Sequence, residues 1–297
     1  MAMEIKGLNK SFGKHRVLED LNFDLKEGEI TALVGRNGSG KTTLLKIIGG
    51  ILEADGGQVL LEDKDLKNLP RLREKLAFLP DRFDYFKYDT GKRAMGYYKV
   101  IYPNFDSDFV AREAGRHKIS LKKTIRSLSK GNMNLLGLIL VLATGAPYLL
   151  LDEVLDGMDV LNKKTILRYL IEASAQGRSI LVASHQLEAL EGIAHRILYL
   201  NLDGHLENIE EGRGTSLSKY QIVVRKDLPQ ELLEAGILRF HLGRVYTFLV
   251  DGGARDWDQV FKDLDVVQYD SLPVQLEDLF YWEKGREVAH EDLNQGV

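Results

Sequence analysis

The sequence predicts an α/β fold: a mostly parallel sheet with helices on both faces, an antiparallel β-subdomain ahead of it, a helical insertion within it, and a small α+β domain at the end. Three observations predict this. Short apolar runs with the look of buried strands alternate with helical segments across residues 29–80 and 148–200, the pattern of a parallel sheet wrapped by helices. Between about Asp81 and Ala143 the strand signals vanish and helical spacing takes over, with Tyr, Phe, Lys and Arg frequent. After about Ser216 the order strand, helix, two strands, helix, strand is that of a split βαβ unit. The expected domains are therefore 1–215, with a helical subdomain at about 82–143, and 216–297, a ferredoxin-like βαββαβ unit.

Taken in order, Glu4–Leu8 and Leu21–Leu25 read as short strands on either side of a turn at Phe12-Gly13-Lys14. Glu29–Val34 is a buried strand that runs into Gly35–Gly40 and a helix from Lys41 to about Ile48. Gln58–Leu61 and Leu76–Leu79 are further strands. Beyond the insertion come a strand at Tyr148–Leu151, a helix at 160–175, a strand at Ser179–Ala183, a helix at 186–192 and a strand at Ile197–Leu200. The Leu202-Asp203-Gly204-His205 turn marks a hairpin. In the last unit, Tyr220–Arg225 is a strand and Pro229–Ala235 a helix. Ile237–Leu242 pairs with Val245–Val250 across Gly243-Arg244. Trp257–Leu264 is helical, Val266–Tyr269 is a strand, and a final helix is expected near Gln275–Lys284.

Composition narrows the function classes. The 297 residues are 44% hydrophobic and 28% charged, ordinary for a globular protein. A net charge of −4 gives no reason to expect nucleic-acid binding. The absence of cysteine removes disulfides, thiolate nucleophiles and Cys-based metal sites. The longest apolar stretch, Leu135–Ala143, is far below the ~18 residues of a membrane helix, and the N-terminus lacks the apolar core of a signal peptide. The expectation is a protein of the cytoplasm.

Gly35-Arg36-Asn37-Gly38-Ser39-Gly40-Lys41-Thr42 matches the phosphate-binding loop G-x-x-x-x-G-K-[ST] at every fixed position, with a strand before it and a helix after it. Glycines let successive N–H groups turn inward as an anion-binding nest at the positive end of a helix. Lys41 brings a full charge to the terminal phosphates, the Thr42 hydroxyl can ligate Mg²⁺, and Thr43 can touch the α-phosphate. The expected ligands are a nucleotide and Mg²⁺. A second apolar strand, Tyr148–Leu151, ends in Asp152-Glu153. Buried strands of a parallel sheet deliver their C-terminal residues to the ligand crevice. Asp152 can there hold Mg²⁺ and Glu153 can polarise the attacking water as general base.

With these motifs in hand the chain resembles the ATP-binding-cassette (ABC) ATPases, from Met3 to about Leu206, with the motifs in family order. That resemblance implies a P-loop NTPase, RecA-like core. Leu128-Ser129-Lys130-Gly131-Asn132 resembles the family signature, which closes over the ATP of the partner subunit. Ser129 and Gly131 would then face that partner's γ-phosphate, although Ser129 also reads as an ordinary helix N-cap. Asp156-Gly157-Met158-Asp159 occupies the place of the loop that joins the two sites. His185 resembles the switch histidine on the γ-phosphate. Phe12 resembles the aromatic that stacks on adenine, with Val17 beside it; core packing is the other reading of Phe12.

The chain departs from the family pattern in two places. Where a glutamine normally contacts Mg²⁺ and the water, the sequence has Leu79-Pro80-Asp81. Asp81 is thus a candidate catalytic and metal-binding residue, unless it only opens the insertion toward solvent. In the signature, Lys130 and Asn132 replace Gly and Gln, and Lys130 is expected to bring a cation near the partner's phosphates.

The resemblance further implies a second ABC ATPase subunit, identical or not, and an integral membrane permease on a separate chain. The cassette would then sit peripherally on the inner face of the cell membrane. The form of the signature and the segment Pro273–Gly285 resemble exporters of peptides, lipids or drugs. A soluble ATPase of ribosomes or nucleic acid is the alternative. The aromatic residues Tyr97, Tyr98, Tyr102, Phe105 and Phe109 form either the docking surface for the permease or a small core of the insertion.

Overall fold

A computed structural model describes all residues except 1, 69, 82, 186, 210–216, 226, 227, 265, 275–277, 279, 280 and 283–297. The chain divides into two compact units, Met1–Glu210 and Glu211–Val297.

The first unit begins with β1 (Met3–Phe12) and β2 (His15–Leu25). β3 (Ile30–Val34), buried at all five positions, leads to α1 (Lys41–Ile48). β4 (Gly56–Leu61), β5 (Lys64–Asp65) and β6 (Leu76–Leu79) follow. The insertion holds α2 (Gly91–Ile101), α3 (Ser107–Arg116) and α4 (Lys130–Leu142). Each starts at a side-chain cap: Thr90, Asp106 and Ser129 accept from the backbone N–H three residues on. β7 (Tyr148–Asp152), α5 (Val160–Ala175), β8 (Ser179–Ser184), α6 (Leu187–Glu191), β9 (Arg196–Leu200) and β10 (Leu206–Ile209) complete the unit.

Two sheets result. β2-β1-β4-β5 is antiparallel, and β10-β9-β3-β8-β7-β6 is parallel except for the hairpin strand β10. The parallel sheet sets β3 beside β8 and β8 beside β7. The three loops at their carboxyl ends, after Val34, Ser184 and Asp152, therefore open at one edge. That is the crevice rule of open α/β sheets.

The apolar run Leu135–Ala143 is the body of α4, buried from Asn134 onward. A helix apolar on all sides belongs to a core. It packs so tightly on β6 that a Cβ at Gly137 would lie 2.7 Å from Leu79 Cδ1. β1 is longer than the Glu4–Leu8 read from sequence, and β2 longer than Leu21–Leu25. The register of β1 against β2 shifts three times, and Gly7 sits at φ +59° inside the strand. Such bulges break the two-residue alternation on which a strand reading depends.

The insertion aromatics pack mainly on one another. Tyr98 is buried and contacts Tyr102 and Phe105 with ring centroids 5.9 and 5.7 Å apart. Tyr97 stacks on Phe86 and stays more exposed, as do Val100 and Ile101.

The second unit runs β11 (Leu217–Val224), α7 (Gln230–Ala235), β12 (Gly236–Leu242), β13 (Val245–Asp251), α8 (Trp257–Asp263) and β14 (Val266–Leu272). Its antiparallel sheet has the order β12-β13-β11-β14. Ile222, Val224, Leu232, Phe248, Val250, Trp257 and Phe261 form its core. Asp278 is fully buried and pairs with Lys219 (2.8 Å) and Arg239 (3.0 Å). The final helix read over Gln275–Lys284 lies largely outside the described residues.

Candidate active site

Between β3 and α1 the chain makes the phosphate loop. Gly40 caps α1 at φ +102°, a conformation that L side chains rarely adopt, and a Cβ there would meet Val17 Cγ1 at 2.7 Å. At Gly35 a Cβ would meet the Leu200 carbonyl oxygen at 2.4 Å. Both positions need glycine, one for backbone conformation and one for close approach. No side chain caps α1, so the first N–H groups of the helix are left for another acceptor. The Ser39 hydroxyl is buried with no hydrogen-bond partner among the described residues. Arg36, Asn37, Gly38 and Thr42 are exposed, Gly40 and Thr43 half-buried.

Lys41 is buried. Its ammonium donates to the carbonyls of Gly35 (2.7 Å) and Arg36 (3.1 Å), and its Nζ is 3.8 Å from Glu153 Oε1. Burial pulls its pKa below the ordinary value, against the opposing pull of Glu153 and Asp152. An anion entering the loop would relieve this desolvation.

Asp152 ends β7 at 1% exposure, and neither carboxylate oxygen has a hydrogen-bond partner among the described residues. Burial, with Glu153 and Asp81 adding like charge, pushes its pKa up to about 6. The Thr42 hydroxyl and Lys41 draw it back. Thr42 faces the carboxylate without closing a well-formed hydrogen bond. Asp152, Thr42 and Asp81 are hard oxygen donors. The described residues contain no cluster of three or more His, Cys, Asp or Glu able to hold a metal alone. That donor set fits Mg²⁺, which binds one or two carboxylates and completes its shell with phosphate and water.

Glu153 adopts φ +47°, a left-handed conformation that costs a non-glycine residue of order 1–3 kcal/mol. Its N–H donates to Ala183 O of β8 at 2.9 Å, which fastens the strained residue to the neighbouring strand. Strain of this kind aims a side chain, and here Glu153 Oε2 lies 2.8 Å from His185 Nδ1. The His185 N–H reaches the same oxygen at 3.3 Å. His185 Nε2 is 3.8 Å from Asp156 Oδ1, and Lys130 Nζ is 2.7 Å from Asp156 Oδ2.

Glu153, Asp156 and His185 line an open pocket of about 520 Å³ with His15, Val17, Asn37, Gly38, Gly40, Lys41, Thr42, Thr43 and Asp81. Of the residues read from the sequence, the structure brings together the phosphate loop, Val17, Asp81, Asp152, Glu153 and His185. Phe12 is half exposed at the β1–β2 turn, outside the pocket lining, with Lys10 Nζ 5.4 Å from its ring centroid. Ser129, Gly131 and Asp159 are also outside that lining. Ser129 caps α4 by accepting from the Asn132 N–H, Gly131 lies against Asn162, and Asp159 caps α5. His15 and Asp156 line the pocket and were missed as site residues. His15 is the cross-strand partner of Phe12, so a correct hairpin register would have found it. Within the single chain the Lys130 ammonium pairs with Asp156 at 2.7 Å, its stem lying over the tight turn at Gly157.

A family model described as ABC transporter matches residues 18–156. The ABC transporter ATP-binding protein YtrB of Bacillus subtilis is 30% identical over 282 residues, covering 94% of this chain and 96% of that protein. The chain belongs to the ABC transporter ATP-binding proteins. This ABC ATPase is also 31% identical over 222 residues to the sulfate/thiosulfate import ATP-binding protein CysA of Bacillus cereus, covering 70% of this chain and 61% of the other. Among solved structures, an ATP binding subunit of an ABC transporter superimposes with a TM-score of 0.63 at 24% identity, over 70% of this chain and 90% of that one. The dimeric cassette MJ0796 gives 0.60 at 22%, over 70% and 99%. Both show the fold alone. The cassette is thus the ATP-binding, ATP-hydrolysing subunit of a transporter. Import proteins stand among its relatives, so membership of the family does not set the direction of transport.

Proposed function

We propose that two cassettes, identical or paired with a related chain, close around two ATP and drive a separate membrane permease that exports a peptide, lipid or drug. The observation that carries the dimer is the incompleteness of the pocket within one chain. Lys41, Glu153 and His185 line it, whereas Ser129 and Gly131 lie off it at the exposed start of α4. Export rests on the likeness of the signature and of Pro273–Gly285 to export cassettes. No helix among the described residues is long and apolar enough to cross a membrane. A peripheral seat on the cytoplasmic face of the permease, with the exposed Tyr97, Val100 and Ile101 of α2 as docking residues, fits that fact.

The steps follow from the side chains. Phosphates entering the loop take up the N–H groups at the start of α1 and the Lys41 ammonium, which leaves the carbonyls it now holds. Phe12, His15 and Val17 flank the nucleotide. Asp152, Thr42 and Asp81 would hold Mg²⁺, which supplies charge neutralisation at the phosphates. Glu153 accepts the proton of the attacking water, and His185 orients Glu153 through its backbone N–H and Nδ1 beside the γ-phosphate. Ser129 and Gly131 of one chain close the site of the other, with Asp159 at the same junction. Binding drives closure only through better contacts in the closed form.

Pull-down of the tagged cassette from detergent-solubilised membranes, followed by ATP-driven flux in inside-out vesicles, tests this reading. A co-purifying polytopic subunit and uptake into such vesicles are expected. Ribosomes in its place, or flux of the opposite sense, would overturn it.

A further inference from the structure

Four charged or ionisable side chains run in a line out of the pocket. Glu153 meets His185 at 2.8 Å, His185 faces Asp156 at 3.8 Å, and Asp156 holds Lys130 at 2.7 Å. Lys130 stands between Ser129 and Gly131, the two signature residues, as the first residue of α4. A cation there opposes the positive end of the helix dipole, so helix stability does not explain the choice of lysine. Asp156 neutralises it, and Lys130 is the main cause holding the Asp156 carboxyl below its usual range. The stem of Lys130 lies over Gly157, where a Cβ would come within 2.7 Å of Nζ and 3.0 Å of Cδ. Gly131 in turn packs on Asn162, whose amide is held by Asp159 at 2.8 Å. The signature is thus tied to the loop after β7 at two points, and the polar one leads to the residue that activates water.

We propose that Lys130 is a positioning residue that links the signature segment to the catalytic pair of its own chain through Asp156 and His185. When Ser129 and Gly131 engage the partner's nucleotide, α4 and Lys130 shift as one body, and Asp156 carries that shift to His185 and so to Glu153. The inference rests on the dimer reading of Ser129 and adds a role for Lys130, where this chain departs from the family's signature.

The test is steady-state ATPase of the full-length chain against ATP concentration for Lys130→Met, Lys130→Arg, Asp156→Asn and the Lys130→Met/Asp156→Asn double variant. The Lys130–Asp156 pair is exposed and adds little stability, so thermal melting should stay level. In Lys130→Met, kcat should fall about ten-fold or more, as misplacement of a catalytic group does, with KM for ATP within two-fold. The Lys130→Arg variant should recover most of the loss, and the double variant should be no worse than Asp156→Asn. Unchanged kcat in Lys130→Met, or losses that multiply in the double variant, would sink the linkage. A rise in KM would place Lys130 on the partner's phosphates and overturn it as well. Failure of the dimer reading shows separately, as normal turnover in Ser129→Arg.

Discussion

Glu153 Oε2 lies 2.8 Å from His185 Nδ1, and this contact joins the ends of two neighbouring strands, β7 and β8, across the mouth of the pocket. The backbone of Glu153 is left-handed at this point, with φ +47°. Replacing Glu153 by Gln keeps the shape and a hydrogen-bonding oxygen but removes the base. Turnover should fall by about 10²–10⁴, while ATP affinity measured by calorimetry stays within a few-fold. Retained ATPase activity would remove Glu153 from its role.

Asp152 should make the stability of the nucleotide-free cassette depend on pH. Its pKa is pushed from 3.8 to about 6 by burial, so the folded state holds a proton that the unfolded state has released. Between pH 4 and 6 the folded chain binds more protons, and nucleotide-free stability therefore falls as pH rises through that window. At ~1.4 kcal/mol per pKa unit, the penalty above pH 6 is on the order of 2–3 kcal/mol. Asp152→Asn should raise the melting temperature at pH 7 and leave it nearly unchanged at pH 4, while abolishing the Mg²⁺ dependence of ATP binding. An equal shift at both pH values would mean that the carboxylate is not desolvated in solution.

Asp81 lines the pocket beside Glu153 and raises the pKa of Asp152. Unit charges about 4 Å apart at an effective dielectric of about 20 interact by about 4 kcal/mol. Asp81→Gln should therefore change the metal dependence of hydrolysis more than ATP affinity, and Asp81→Ala should lose turnover further. Titrating Mg²⁺ and Mn²⁺ against ATPase rate decides this. Superimposable curves for the three proteins would make Asp81 a linker to the insertion.

Ser129 serves as the cap of α4, and its loss costs ~1 kcal/mol of helix stability. Ser129→Arg should leave ATP binding to the single chain intact and block ATP-dependent dimers in light scattering. Normal dimers with normal turnover would refute the shared site.

The sequence by itself determined what local chemistry can encode. The glycine and lysine spacing of residues 35–42 needs only its own strand and helix, and Val34, Leu151 and Ala183 end apolar runs whose next residues face the crevice in any parallel sheet. The alternation of strands and helices and the helical insertion were legible for the same reason. Tertiary structure alone decided the rest. β1 pairs on both edges with shifts of register, which no alternation pattern records, and His15 lines the pocket while its cross-strand partner Phe12 stays outside that lining. Lys130 and Asp156 are 26 residues apart, Glu153 and His185 32. A side chain's partner at such distance depends on how strands stack and loops turn, and a motif names the residue without aiming it.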